Sequence, residues 1–411
     1  MMKIAIIGAG LVGLNTAHRL ADEGHDVTVF DRVGPANGAS RGNAGMIAHT
    51  DIEPLANPRM LRKVPSMLLD PLGPLAIRPG YALQIFPWLM RLLAASTPAA
   101  MKRSTDAIIA LQLLARPAWT ETDNRLALNS FFHERGSLYL FDSKANFEAA
   151  RPTYARQREL GIQVDELEGH EVRQMEPALN ERIVAAAYFP DAGHISDSRL
   201  LTEALFDRAR ERGIKFIKDD IVAITAGDQV TVTGPGNRHD AFDRVVIAAG
   251  AWSKDLAAQL GNTIPLDTER GYNISFPGVT DRITRPVSFQ GYGFVATPME
   301  TGLRIGGAVE LGGLKLPPNH DRTRALYSRA QMFLKNLPAY DQGTEWMGFR
   351  PSLPDSLPVI GRAKASAHVI YAFGHGHYGL TQSAATGALV ADLMAGRKTP
   401  IDLRPYAPDR F

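Results

Sequence analysis

Two groups of residues in this chain have the types and spacing to do chemistry. The first is Gly8-x-Gly10-x-x-Gly13, which follows an apolar run at 3–7 and precedes a second apolar run closed by Asp31-Arg32. In a strand–turn–helix unit Gly8 permits the tight turn, Gly10 lets a diphosphate approach the backbone, and Gly13 lets the helix pack close to the sheet. The helix start, with Leu11 and Val12 between the glycines, offers unpaired N–H groups and the positive end of its dipole to an anion. Asp31 lies 18 residues past Gly13, about where a ribose-binding carboxylate belongs. Dinucleotide binding is the reading, against a glycine-rich turn without ligand. The second group is C-terminal: Arg350, set in Gly348-Phe-Arg-Pro-Ser-Leu-Pro354-Asp355, and the run His375-Gly376-His377-Tyr378-Gly379-Leu380-Thr381. A planar guanidinium holds a carboxylate through two parallel N–H donors; the alternative for Arg350 is a structural pair with Asp355. The glycine run also reads as a turn before a helix with Thr381 as N-cap. His375 and His377 stand two apart, but with no cysteine or acidic partner nearby in sequence they do not read as a metal site.

These residues need a scaffold, and the chain is long enough for two substantial cores at 411 residues. Its formal net charge of +2 and lack of a long basic run give no sign of nucleic acid as a partner. The absence of cysteine excludes disulfides, thiolate metal sites, a cysteine nucleophile and any flavin tethered through sulfur. The apolar N-terminal run, broken by three glycines, reads as a first strand and not as a signal peptide. No continuous apolar run reaches the ~18 residues of a membrane span.

Patterning is interleaved. A helix is expected at about 105–128, β-like runs at 137–141 and 185–189, and a helix at 196–212 capped by Ser196 or Asp197 and stopped by Gly213. A strand at 215–218, a hairpin-like pair at 221–225 and 229–233, and a buried parallel strand at 244–250 follow. Alternation returns over 264–310, with a helix at 321–337, a strand at 368–373 and a last helix at 381–394. The nucleotide-binding part thus comes in three pieces and a β-rich part in two.

Four stretches complete a pattern: Ala39-Ser40-Arg41-Gly42-Asn43-Ala44-Gly45, the 348–361 stretch, the 373–381 turn, and Val245-Val-Ile-Ala-Ala249-Gly250-Ala-Trp252. With the N-terminal fingerprint they resemble, over essentially the whole chain, the D-amino-acid oxidase superfamily of FAD-dependent oxidoreductases. Within it the resemblance is to bacterial D-amino-acid dehydrogenases, including D-hydroxyproline-type ones. The resemblance implies an α/β Rossmann-like FAD domain of glutathione-reductase type (1–50, 191–262 and 341–411), interleaved with an α+β substrate domain on a mixed or antiparallel sheet (51–190 and 263–340). It implies non-covalent FAD, with His49 the residue to check for a covalent link. Asp31 and Arg32 then handle the adenosine ribose and phosphate, and the backbone of Val222 meets the adenine. Ser40, Asn43, Ala44 and Gly45 run beneath the isoalloxazine, Ala249, Gly250 and Trp252 close a cofactor-side strand, and Gly376 with Tyr378 to Thr381 lies at the flavin N1–C2=O edge. Arg350 takes the substrate carboxylate. Tyr272 either adds a hydroxyl to that carboxylate or is a core tyrosine, Arg270 is a second carboxylate contact or pairs with Glu269 or Asp267, and His377 faces flavin or substrate.

The expected reaction is oxidation of a D-amino acid, such as D-proline or D-hydroxyproline, by hydride transfer from Cα to flavin N5. The imine product hydrolyses, and the electrons go to a quinone or another non-oxygen acceptor. The absence of lysine from the flavin-proximal motifs leans toward a dehydrogenase over a glycine- or sarcosine-type oxidase. An NAD-dependent dehydrogenase accounts for the N-terminus but leaves the C-terminal motifs unexplained, as does a non-catalytic dinucleotide-binding module. The segment 55–95, apolar with Arg59, Arg62, Lys63, Arg78 and Arg91, suits peripheral contact with the inner face of a cytoplasmic membrane. Its alternative is helix packing over the substrate entrance with snorkelling arginines in a cytoplasmic protein.

Overall fold

The computed structural model describes residues 1–55, 57–70 and 73–411. Its first sheet has six strands in the order Lys215–Lys218, Asp26–Asp31, Lys3–Ile7, Arg244–Ile247, Val369–Phe373 and Val359–Arg362, all parallel except the last. Side chains alternate across a strand, so Ile4 and Ile6 face one core and Ala5 and Ile7 another. The first core is closed by the helices Leu11–Asp22, Ser198–Glu211 and Gly379–Ala395. The second is closed by a three-stranded sheet, Ala223–Thr225, Val230–Thr233 and His239–Phe242. Burial on both faces explains why these strands read as unbroken apolar runs. The expected hairpin at 221–233 gains a third strand.

A second sheet of nine strands carries Asp267–Pro277 between Thr344–Ser352 and Gly302–Leu311. Most of its pairs are antiparallel; Val287–Phe289 against Ser137–Phe141 and Leu75–Ile77 against Gly302–Leu311 are parallel. The architecture is the α/β dinucleotide fold interleaved with a mixed-sheet α+β part. Thr344–Ser352, expected among the cofactor-side residues from 341 onward, instead pairs along its whole length with Asp267–Pro277. That pairing sets Arg350 directly opposite Glu269.

Several element ends move for local reasons. The long helix runs Pro98–Leu126, starting at a proline in its first turn and ending at left-handed Ala127. The helix expected to reach 337 ends at Gln331, ahead of left-handed Asn336. Ser198–Glu211 is capped by Asp197, whose Oδ1 accepts from the amides of Arg199 at 2.7 Å and Leu200 at 3.2 Å. Thr381 is not a cap. It lies inside Gly379–Ala395, and its hydroxyl accepts from the amide of Ala48 at 3.0 Å.

Candidate active site

A cavity of about 1090 Å³ runs from the glycine turn of the first sheet to the inner face of the second. At one end, Gly8 adopts φ +115°, and a Cβ there would sit 2.4 Å from the carbonyl oxygen of Ala248. A Cβ on Gly13 would sit 1.9 Å from the carbonyl oxygen of Gly8. The helix Leu11–Asp22 opens on this wall with no acidic residue in its first turn. The loop 40–45 comes next. Ser40 Oγ accepts from the amide of Leu11 at 3.1 Å, and Asn43 Oδ1 from that of Gly45 at 2.9 Å. The second sheet pins this loop from outside: Arg304 donates to the carbonyl of Asn43 at 2.9 Å, and Asn273 to that of Gly42 at 2.8 Å. Neither anchor was legible in the sequence, because each partner is more than 200 positions away.

Gly8, Gly10, Leu11, Val12, Asp31, Arg32, Ser40, Asn43, Ala44, Gly45, Ala249, Gly250, Trp252, Gly376, Tyr378, Gly379 and Leu380 all line this cavity, as do Arg350, Tyr272 and His377. Gly13 and Thr381 stand behind the wall, holding the turn and the last helix in place. Asp31 also clamps the turn, its carboxylate accepting from the amides of Ala9, Val33 and Gly34 at 2.9–3.0 Å. Arg32 stacks on Trp252, 3.6 Å from the ring centroid. Val222 is not on the cavity wall, where its neighbour Ile221 stands; its amide donates to Thr233 at 2.9 Å and its carbonyl accepts from Gln259 at 3.0 Å. His49 is off the wall.

At the other end, strand geometry sorts the polar residues of Asp267–Pro277. Arg270 and Tyr272 point to one face, where both reach Glu310: Arg270 Nη1 at 3.3 Å and the Tyr272 hydroxyl at 2.9 Å. Arg270 is fully buried and also donates to the carbonyls of Gly313, Leu316 and Pro317. The Tyr272 hydroxyl accepts from the amide of Asn319 at 3.1 Å. Both belong to the core, so neither offers a free donor to a ligand carboxylate. Glu269 and Gly271 point to the opposite face, which is why Arg270 and Glu269 do not pair. There a Cβ on Gly271 would sit 2.4 Å from Arg350 Cζ; the glycine leaves room for the guanidinium.

Arg350 donates to the carbonyls of Ala308 at 2.9 Å and Gly307 at 3.4 Å, and makes no ion pair among the described residues. Asp355 pairs instead with Arg410, at 2.8 Å. Burial holds the Arg350 guanidinium below its ordinary value, with Glu269 opposing. Glu269 was missed as a site residue. Its carboxylate accepts from Ser352 at 2.6 Å and bonds His377 Nε2 at 2.7 Å. Burial alone would raise it, but His377, Ser352 and Arg350 together hold it at about 2. His375 bonds Thr386 at 2.9 Å and is held neutral by burial.

Asp51 is the second acid at this end. Tyr139 donates to its carboxylate, and no cation pairs with it among the described residues. Burial pushes it from 3.8 up to about 6, against the Tyr139 bond and His377 and with the help of Glu53. The folded state therefore holds this proton more tightly than the unfolded one. Stability falls as pH rises from about 4 through 6, and the ionised carboxylate costs at most ~3 kcal/mol above that.

Fold and cavity define a protein with room for an extended dinucleotide between a glycine turn and the inner face of a second sheet. The glycine-cradled length of the cavity and a helix start with no acid in its first turn fit FAD. Residues 3–393 match the DAO family, described as FAD dependent oxidoreductase, and the chain belongs to that family. It is 36% identical to a D-amino-acid oxidase of Bradyrhizobium diazoefficiens, over 99% of this chain and 98% of that one. It is 31% identical to a D-amino acid dehydrogenase of Neisseria meningitidis serogroup C, over 97% of both. Among solved structures, glycine oxidase from Geobacillus kaustophilus superposes with a TM-score of 0.79 at 23% identity, covering 100% of this chain and 99% of that one. L-proline dehydrogenase from P. horikoshii gives 0.75 at 21%, covering 100% and 97%. These two likenesses establish the fold.

Proposed function

We propose that this FAD-dependent oxidoreductase oxidises D-amino acids at the Cα–N bond and passes the electrons to a non-oxygen acceptor such as a quinone. The observation that carries the reading is Arg350, a half-buried guanidinium on the cavity wall without an ion-pair partner among the described residues. Bound FAD supplies the redox chemistry, taking two electrons from the substrate. The protein binds the substrate carboxylate at Arg350, and Gly271 leaves the room for it. Glu269 and Ser352 hold His377 beside that position. The start of Gly379–Ala395, on the cavity wall and without an acid in its first turn, favours negative charge on the cofactor. The names of the D-amino-acid relatives support the substrate class. Anaerobic addition of D-amino acids is expected to bleach the ~450 nm flavin band while their L-enantiomers leave it intact. A band that no amino acid bleaches overturns the reading.

A specific surface favours peripheral membrane contact. On the helix Ala82–Ala95, Leu83, Phe86, Met90 and Leu93 are exposed at helical spacing. Its other side packs Ile85 and Trp88 on Leu311, and Trp88, Leu89 and Leu92 reach the cavity. An apolar acceptor in a bilayer would thus meet the same helix that walls the cofactor cavity. Among the expected basic residues Arg91 is exposed, while Arg78 pairs with buried Glu310 at 3.7 Å. The side chains of Arg59, Arg62 and Lys63 lie outside the described residues. No described helix is long and apolar enough to cross a membrane. Cosedimentation with anionic vesicles is expected, and to be lost in Phe86→Glu; equal binding by the variant removes this surface from the proposal.

A further inference from the structure

A side cavity of about 390 Å³ adjoins the main one. The two share walls at Asp51, Leu55, Ser288, Gln290, Gly291 and Tyr378. The side cavity therefore begins at the end of the main cavity that holds Arg350 and His377, away from the glycine turn.

Its chemistry is one-sided. Two carboxylates, Asp51 and Glu53, line it, and no Lys, Arg or His does among the described residues. The side-chain donors around it are largely taken: Tyr139 by Asp51, Thr153 by Glu53 at 2.8 Å, Tyr378 by the Glu53 carbonyl at 3.4 Å. Gln157 gives its amide N–H to the carbonyl of Thr50 at 2.7 Å. Its Oε1, in a side chain only 3% exposed, has no partner. Asn146, Tyr154 and Ser288 also line it with polar side chains, but the only charges on its wall are negative among the described residues. Asp51 is half-buried and Glu53 exposed; a half-buried carboxylate with no cation beside it is a penalty to the fold, which a cationic ligand would relieve.

Resting on the reading of the substrate as a D-amino acid held by Arg350, we propose that this cavity is the subsite for its side chain. It takes side chains ending in a cationic donor, an ammonium or a guanidinium. The cation sits between Asp51 and Glu53, and Gln157 Oε1 accepts a further hydrogen bond. A small cyclic substrate such as D-proline leaves this space unfilled, so the subsite selects D-lysine or D-arginine over it.

The test uses the holoenzyme and single-turnover anaerobic mixing, which separates the half-saturating concentration from the rate of flavin bleaching. D-Lysine is expected to half-saturate at a concentration ~10- to 100-fold below that of D-norleucine, which has the same carbon chain without the ammonium. In Asp51→Asn the ratio collapses to about twofold or less. Asparagine keeps an acceptor for Tyr139 and removes the half-buried charge, so a melting temperature at or above the parent's at neutral pH separates lost recognition from lost folding. A parent enzyme that prefers D-norleucine or D-proline while bleaching with either overturns the subsite and leaves the amino-acid reading standing. So does a ratio that persists in both Asp51→Asn and Glu53→Gln. A flavin that no D-amino acid bleaches overturns the underlying reading, and this proposal with it.

Discussion

Arg350→Met is expected to lower kcat/KM for every amino-acid substrate by ~10²- to 10³-fold while the protein still purifies yellow. The size follows from the surroundings. The guanidinium faces the cavity with Glu269 as its nearest electrostatic partner and only two carbonyls as direct acceptors. A substrate carboxylate entering without it would be buried opposite Glu269 with no counter-charge. Methionine fills the space beside Gly271 without the donors, so the cofactor cavity keeps its walls. Arg350→Lys restores the charge but not the planar pair of donors, and is expected to recover part of the loss, mostly in KM. Unchanged KM and kcat in the methionine variant would remove Arg350 from the site. Loss of flavin along with activity would make it a structural residue instead.

Gly13→Val is expected to give protein that retains little flavin and melts several degrees lower. A Cβ at this position would meet the Gly8 carbonyl oxygen at 1.9 Å and Ile6 at 3.5 Å. The Gly8 oxygen is backbone and cannot swing aside. Gly8 is itself fixed by its bond to Phe30, at 2.7 Å, and by its positive φ. The helix must back away from the sheet, at a cost of ~3 kcal/mol from overpacking alone. Retreat also withdraws the helix N-terminus from the cofactor, and the stabilisation that bound FAD gives the fold goes with it. The ratio of flavin to protein absorbance and the melting temperature with added FAD are the measurements. A variant that binds FAD stoichiometrically would show that close packing at Gly13 is not what places the helix.

Both predictions start from residues that are visible in the sequence, but for different reasons. The Gly8–Gly13 turn, the strands on either side of it and the acid at 31 are determined within about thirty residues, where each glycine is demanded by its own backbone geometry. The strands Lys3–Ile7, Arg244–Ile247 and Val369–Phe373 were legible because a parallel strand buried on both faces must be apolar throughout. Arg350 was legible as a type of residue, a planar cation among prolines. Its lack of an acidic partner was not.

Tertiary structure decided where the charges go. Neighbouring residues on a strand face opposite sides, so Arg270 and Tyr272 went to Glu310, and Glu269 went to His377 and Ser352. Sequence shows the alternation but not which face is the cavity, because that depends on strands 40 to 80 positions away. The same holds for Val222, whose backbone groups are taken by Thr233 and Gln259, and for Thr381, drawn into the last helix and bonded to Ala48. Asp51 is the extreme case. Nothing near it in the chain marks it, yet packing against Tyr139, 88 residues on, half-buries it without a cation beside it. The sequence by itself determined the cofactor turn and the strands that carry it, because those depend on local backbone geometry and on burial. Which polar groups remain free for a substrate was settled only when distant elements packed and used up the others.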